Sequence, residues 1–440
     1  MAEEIRHIRD EEREELLKLR VYGFGNYPPR RSNELDLARM HPREIIGFFE
    51  EGRLTAAVHL YRYSHFLRGV VRNMGGIAGV VSYPEARRRG IVRRLMQEAL
   101  AEMHREGLVV SMLRPFRVSF YGRFGYASSD DEMTITYPTR SFTPWLNAPA
   151  AQGIVTERCS PEEGWQEYTA LDRGPIDLGG TGDGDGDGEY FRHGNILLES
   201  LNPELRKRRL EDEELILFRR EGRLIGGLTF RKEGAEPDGV LRLSTYRFSE
   251  FSGLAAVLRY IALHIDQCAT VVMNAAPASP DGRIFPWTGD IDDAVEVKRI
   301  RHPWMVRLVD VPAALNGLPA AGAGAVTIRL RDEYGPWNEG RYRLESDGAQ
   351  LRVHPLDDGG RSTPSGDGAA AAVELDIREL SAMVYGSVRP REILRKHLPW
   401  QQERLACTGA AGQAGEPEAE TISLLEGWFP ERFLWNDWWF

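Results

Sequence analysis

Cysteine is scarce in this chain: three in 440 residues, Cys159, Cys268 and Cys407, far from one another. An odd, scattered set is neither a disulfide framework nor a zinc site, so isolated reduced thiols and no metal are expected. A basic excess is also missing. Lys and Arg number 56 against 66 Asp and Glu, a net charge of −10, which argues against the basic surface of a nucleic-acid binder and suits cationic partners better. No apolar run approaches the length of a membrane span. The first twenty residues are charged throughout and hold no apolar leader core. A cytoplasmic protein without membrane or nucleic-acid partners is the expectation.

What the chain has is length and a globular balance, 42% hydrophobic and 28% charged, enough for two or three domains. Residues 11–20 read as an amphipathic helix with Leu16, Leu17 and Leu19 inward. Two extended segments follow, joined by a turn at Glu51-Gly52. Then come a strand, a basic glycine-containing turn, a long helix, a strand and the aromatic run Phe120–Tyr126. Residues 138–152, "PTRSFTPWLNAPAAQ", read as a linker. Beyond Ile154 the order hairpin, strand, helix, strand returns, which points to a degenerate internal duplication. From Arg301 the pattern changes to paired strands around "GPWNE" and short helices, a small α+β region. The boundaries are therefore 1–140, 150–300 and 301–440. The run Gly179–Glu189 starts like a calcium loop, but the twelfth position from Asp183 is Gly194 and lacks the bidentate Glu, so a flexible acidic loop is expected.

The chemistry sits in "GVVSYPEARRRGIVRRLM". A strand runs to Val81, and "RRRG" opens a helix. Free N–H groups at a helix start, Gly90 allowing close approach, and Arg87, Arg88 and Arg89 nearby make an anion site suited to a phosphate or pyrophosphate. On these residues alone, a solvated basic helix start fits equally well.

The spacing Arg87-x-x-Gly90 after a "VV" strand resembles the pyrophosphate-cradling motif, Q/R-x-x-G-x-G/A, of the GCN5-related N-acetyltransferase (GNAT) superfamily. Val92 departs from the usual small last residue, and a bulkier residue there resembles the Eis ("enhanced intracellular survival") type. "FYGRFGY" (Phe120–Tyr126), "HPWMVRLVDVPAAL", "GPWNEGRYRLE" and the aromatic C-terminus carry the same resemblance across nearly the whole chain. It implies an α/β and α+β architecture: two tandem acetyltransferase-like domains, the second degenerate, then a sterol-carrier-like α+β domain. It also implies acetyl-CoA as co-substrate, bound by the first domain only, and a homo-oligomer, hexameric in the family.

Residue by residue, the resemblance places the pantetheine arm along Val80, Val81 and Ser82. The pyrophosphate falls on Arg88, Arg89, Gly90, Ile91, Val92 and Arg93, with Phe116 and Arg117 flanking the cofactor. Tyr121 matches the family's general acid; Tyr126 reads as packing. The family's general base is the C-terminal carboxylate, here that of Phe440, with Trp438 and Trp439 as anchors. The acceptor implied is a small-molecule amine, an aminoglycoside or a lysine side chain. Glu34, Asp36 and Asp437 are candidates for acidic lining, and each also reads as an ordinary surface carboxylate. Two other readings remain: a non-catalytic lipid or small-molecule carrier built on the third domain, and a tRNA-dependent aminoacyl transferase, which the charge of −10 disfavours.

Overall fold

The computed structural model describes residues 2–24, 41–129, 132–171, 176–177, 189–190, 212–275, 296–300, 304–356, 373–395, 401 and 419–431. In chain order, the N-terminal stretch gives β1 (Glu3–His7), α1 (Arg13–Phe24), β2 (Ile45–Glu50), β3 (Arg53–Leu67), β4 (Val70–Ser82), α2 (Ile91–Arg105), β5 (Val110–Leu113), α3 (Val118–Gly122) and β6 (Ala127–Ser128). The middle gives β7 (Glu132–Pro138), β8 (Val155–Cys159), α4 (Pro161–Ala170), β9 (Ile176–Asp177), β10 (Glu189–Tyr190), β11 (Glu214–Arg220), β12 (Arg223–Glu233), β13 (Gly239–Phe248), α5 (Phe251–Ala262), β14 (Cys268–Ala275) and β15 (Glu296–Ile300). The remainder gives β16 (Met305–Leu308), α6 (Val311–Leu315), β17 (Pro319–Arg331), β18 (Gly340–Leu356), β19 (Val373–Asp376), α7 (Ile377–Tyr385), α8 (Pro390–Leu394) and α9 (Ala419–Trp428). These elements form two compact units. Over the described residues, one joins the chain up to Ser129 with the chain from Trp304 to Glu431; the other lies within Asp130–Pro303.

In the first unit seven strands pair in the order β1-β2-β3-β4-β5-β16-β6. Every neighbouring pair is antiparallel except β4 and β5. A parallel pair needs a crossover, and α2 supplies it. Its apolar residues Ile91, Leu95, Met96, Ala99, Leu100 and Met103 recur at helical spacing and are buried. They share a core with Ala56, Val58 and Leu60 of β3. Side chains alternate along a strand, so Ala57 faces the other way, into a core with Leu16 and Leu19 of α1. The sheet is thus sandwiched between α1 and α2.

The later part of this unit is a β17–β18 hairpin with β19 parallel to β17. Its helix α7 holds an edge of the first sheet: the Leu308 N–H donates to Ser381 Oγ at 3.0 Å. The hairpin turn between β3 and β4 returns the contact. Buried Arg68 donates to the carbonyls of Val384, Met383 and Pro430, the ends of α7 and α9, where helix carbonyls lack intrahelical partners.

The second unit repeats the first. Its order is β8-β11-β12-β13-β14-β7-β15, again with a single parallel pair, β13 and β14, crossed over by α5. The expected duplication is therefore present strand for strand. One exchange accompanies it: β7, next in the chain after β6, fills the sixth place of the second sheet, and β16, next after β15, fills the sixth place of the first. Residues 138–152 are not a linker. They form tight 3-10 turns that bury Phe142 and Trp145 in the second core, with Trp145 edge-on to Phe251 at the start of α5.

Cys159 and Cys268 are free thiols. Cys407 and all of the glycine/aspartate run except Glu189 lie outside the described residues. Among the described residues, no helix is long and apolar enough to cross a membrane.

Candidate active site

Parallel strands put their C-terminal ends side by side, which is where open α/β sheets bind ligands. Here β4 and β5 pair only from Met74–Val110 to Ile77–Leu113. Beyond Ile77, β4 continues to Ser82 beside β3 alone. A register shift against β3 falls between Ala57 and His59, and Gly79 has φ +56° there, a left-handed conformation that favours glycine. Among the described residues, the β5-facing backbone edge of β4 therefore has no strand partner over residues 78–82. Val81 turns its side chain into the α1 core, so its contribution to a cleft is its backbone.

The turn after β4 leads into α2. Gly90 is the N-cap residue with φ +77°, no side chain caps the helix, and its first turn holds no acid. The first N–H groups of a helix have no intrahelical partner, and the dipole adds partial positive charge there. The arginines sort into two groups. Arg89 is fixed by both oxygens of Glu50 at 2.5 and 3.1 Å, an ion pair that lowers the Glu50 carboxyl's pKa. Arg94 is fixed by Glu3 and lies over the Phe48 ring. Arg88 and Arg93 are exposed and have no hydrogen-bond or ion-pair partner among the described residues. An uncapped helix start with two uncommitted arginines fits a pyrophosphate. Among the described residues the second unit has no such cradle. Only Ser249 and Glu250 separate β13 from α5, and Glu250, its N-cap residue, puts a carboxylate at that helix start.

Past β5 the chain turns through Phe116 and Arg117, both exposed, into α3. Tyr121 is buried, its ring edge-on to Phe116, Phe120 and Tyr126. Its hydroxyl makes no hydrogen bond among the described residues. Burial, with a smaller contribution from Tyr126, pushes its phenol well above the ordinary value, so the group keeps its proton. Tyr126 has a different place. Ser111 Oγ donates to the Gly75 carbonyl at 2.9 Å, which leaves it to accept from the Tyr126 hydroxyl at 2.7 Å. Tyr126 is fully buried and satisfied, with a phenol pushed up to about 12 by burial.

The structure therefore gathers three of the expected groups at one end of the sheet: Val80 to Ser82, Arg88 to Arg93, and Phe116, Arg117 and Tyr121. Phe440, Trp438, Trp439, Asp437, Glu34 and Asp36 lie outside the described residues. The commitments of Arg89 and Arg94 were missed in the sequence, because Glu50 and Glu3 reach them only through the pairing of β1 and β2.

Known proteins are similar to this chain in sequence and in fold. Residues 4–128 match the acetyltransferase (GNAT) domain. The chain carries a GNAT acetyltransferase domain. Residues 311–414 match the sterol carrier protein domain. An uncharacterized N-acetyltransferase of Streptomyces coelicolor is 26% identical over 98% of this chain and 100% of its own length. Two solved structures share the fold over the full length of both chains: a GCN5-related N-acetyltransferase from Anabaena variabilis, TM-score 0.75 at 16% identity, and Eis1 from Mycobacterium abscessus, TM-score 0.69 at 17% identity. The protein is an acetyltransferase, and acetyl-CoA is the donor that GNAT enzymes use. In this GNAT domain the cradle and Tyr121 both fall inside the matched residues.

Proposed function

We propose that the enzyme moves the acetyl group of acetyl-CoA to the primary amine of a polyamine-type acceptor, an aminoglycoside or a lysine side chain, as an Eis-type acetyltransferase. The observation that carries this reading is the junction of the opened β4 edge, the uncapped helix start with Arg88 and Arg93, and Tyr121. The pantetheine arm takes the backbone of Val80, Val81 and Ser82. The pyrophosphate takes the N–H groups from Gly90 to Arg93 with Arg88 and Arg93, while Arg89 shapes the turn and Phe116 and Arg117 flank the cofactor. Tyr121 donates its proton to the departing thiolate. The Phe440 carboxylate takes a proton from the amine, held in place by Trp438 and Trp439. A cytoplasmic homo-oligomer, hexameric, belongs to the same reading.

The test is coenzyme A release from acetyl-CoA against aminoglycosides, polyamines and lysine peptides. Release with such amines is expected; release with none of them, beside tight acetyl-CoA binding, would overturn the acceptor class. Two variants check the parts. Adding one residue after Phe440 moves the carboxylate and should lower kcat tenfold or more, with folding intact; full activity would remove the tail from the mechanism. Gly90→Ala meets nothing within 4 Å, so its effect is conformational. A Cβ in the left-handed region costs about 1–2 kcal/mol, and calorimetry should show the acetyl-CoA Kd raised roughly fivefold or more as the turn relaxes.

A further inference from the structure

Acetylating an ammonium group removes two protons from its nitrogen. One ends on the coenzyme A thiol; the other must reach bulk water at every turnover. Tyr121 serves the thiol, and whatever base first takes the second proton has to be reset. His59 is placed for that task. It lies on β3 opposite Ala78, the first β4 residue beyond the last β4–β5 pair. With Ala57 it shares the α1 face of the sheet, and Gly79 packs between it and Arg20: a Cβ on Gly79 would sit 3.6 Å from His59 Cβ and 3.7 Å from Arg20 Cζ.

The imidazole is 3% exposed and stacked on Tyr61 at 3.7 Å between ring centroids. Its Nε2 lies 3.2 Å from Glu44 Oε2. A carboxylate accepts, so the ring hydrogen sits on Nε2 and Nδ1 keeps a lone pair. That Nδ1 is sealed from solvent and has no partner among the described residues. A buried acceptor left unmatched costs stability and calls for an explanation in function. The facing charges are Glu44 ahead of β2, Arg20 on α1 and Arg62 on β3. Burial is the largest influence and lowers the imidazole's pKa; Arg20 and Arg62 act in the same direction and Glu44 opposes them. The ring is therefore neutral and able to accept. Glu44 is partly exposed, an exit to water.

The second sheet supplies a contrast. Glu213 also stands immediately before the second strand of its sheet, but it accepts from Ser244 Oγ at 2.6 Å and lies 3.7 Å from Arg231. Among the described residues no imidazole is bonded to it. The acid recurs in both repeats, and the histidine accompanies the repeat that has the cradle.

We infer that His59 and Glu44 form the proton outlet of the acetyl-transfer site. The proposal rests on the acetyl-transfer reading. Each turnover, Nδ1 accepts the bulk-bound proton, directly or through water from the first base. The imidazolium is held by the Glu44 carboxylate, and its Nε2 proton leaves at that partly exposed edge; the ring, left with its hydrogen on Nδ1, exchanges back to the Nε2–H tautomer before the next turnover.

The test measures coenzyme A release by the full chain with acetyl-CoA and a working amine, for wild type, His59→Ala, His59→Gln and Glu44→Gln. Expected are a fall in kcat of about tenfold, a KM for acetyl-CoA within about twofold of wild type, and loss of the acid limb of the kcat profile that protonation of His59 creates. Added imidazole should restore turnover to His59→Ala and not to Glu44→Gln. Variants with wild-type kcat and pH profile would overturn the outlet, as would a loss that imidazole and pH leave unchanged, since that is a packing defect. A wild type that releases no coenzyme A with any amine overturns the transfer reading, and the outlet with it. A wild type that turns over beside indifferent variants overturns the outlet alone.

Discussion

Tyr121→Phe is expected to lower kcat roughly 100-fold while leaving the acetyl-CoA Kd and the thermal unfolding midpoint near wild type. Losing a positioned proton donor typically costs 10²–10⁴-fold, and a factor of 100 is about 2.7 kcal/mol of barrier. The fold should not register the change. Phenylalanine fills the same space among Phe116, Phe120 and Tyr126, and the lost hydroxyl has no hydrogen-bond partner among the described residues to strand. Because burial raises the phenol's pKa, the donor stays protonated across the working range. Wild-type kcat should therefore show no alkaline fall from this group below about pH 10, the ordinary phenol value. The effect should fall on kcat and not on KM, the mark of a contact made in the transition state. A variant with wild-type kcat would leave Tyr121 a packing residue and the thiolate to be protonated by water.

The site and the fold were legible to different depths. The Glu51-Gly52 hairpin and the α2 helix follow local rules: a glycine turn between extended runs, then apolar residues at helical spacing. Tyr121 and the turn Arg88–Arg93 were singled out through spacing that the resemblance made specific. Residues 138–152 were misread because Pro, Thr, Ser and Asn look like linker composition, while what decides their fate is the burial of Phe142 and Trp145 against α5, a contact with residues a hundred positions away. Likewise 305–308 reads locally as a strand, but nothing local says that it pairs with β5 and β6. The Glu44–His59 contact depends on the register of β2 against β3, where Ile45 stands opposite His59. A bulge at Thr55 helps to set that register, and no spacing rule reports it.

The pairing of 305–308 has a measurable consequence. Arg307, on β16, is fully buried and Asp332 is 1% exposed. The Arg307 Nη2 donates to both Asp332 oxygens at 2.8 Å, and Nη1 donates to the Phe124 carbonyl at 2.7 Å. Asp332 also accepts from Asn338 Nδ2 at 2.9 Å and from the Tyr334 N–H at 3.3 Å. The guanidinium therefore ties the exchanged strand both to the turn after α3 and to the loop after β17. Asp332→Ala leaves that charge buried without its counter-ion, which typically costs about 3–5 kcal/mol. Calorimetry should show the first unit's unfolding transition lowered by on the order of 10 °C. Asp10→Ala sets the scale, since it removes the exposed partner of Arg13, a class of ion pair worth less than about 1 kcal/mol. Burial, not the presence of a salt bridge, decides the difference between the two. Equal, small losses from both variants would mean that the Arg307 charge reaches water when Asp332 is gone, and that β16 is held by its backbone ladder alone. A large loss confined to Asp332→Ala would make the buried pair the latch that keeps the exchanged strand, and the turn between Tyr121 and Tyr126, in place.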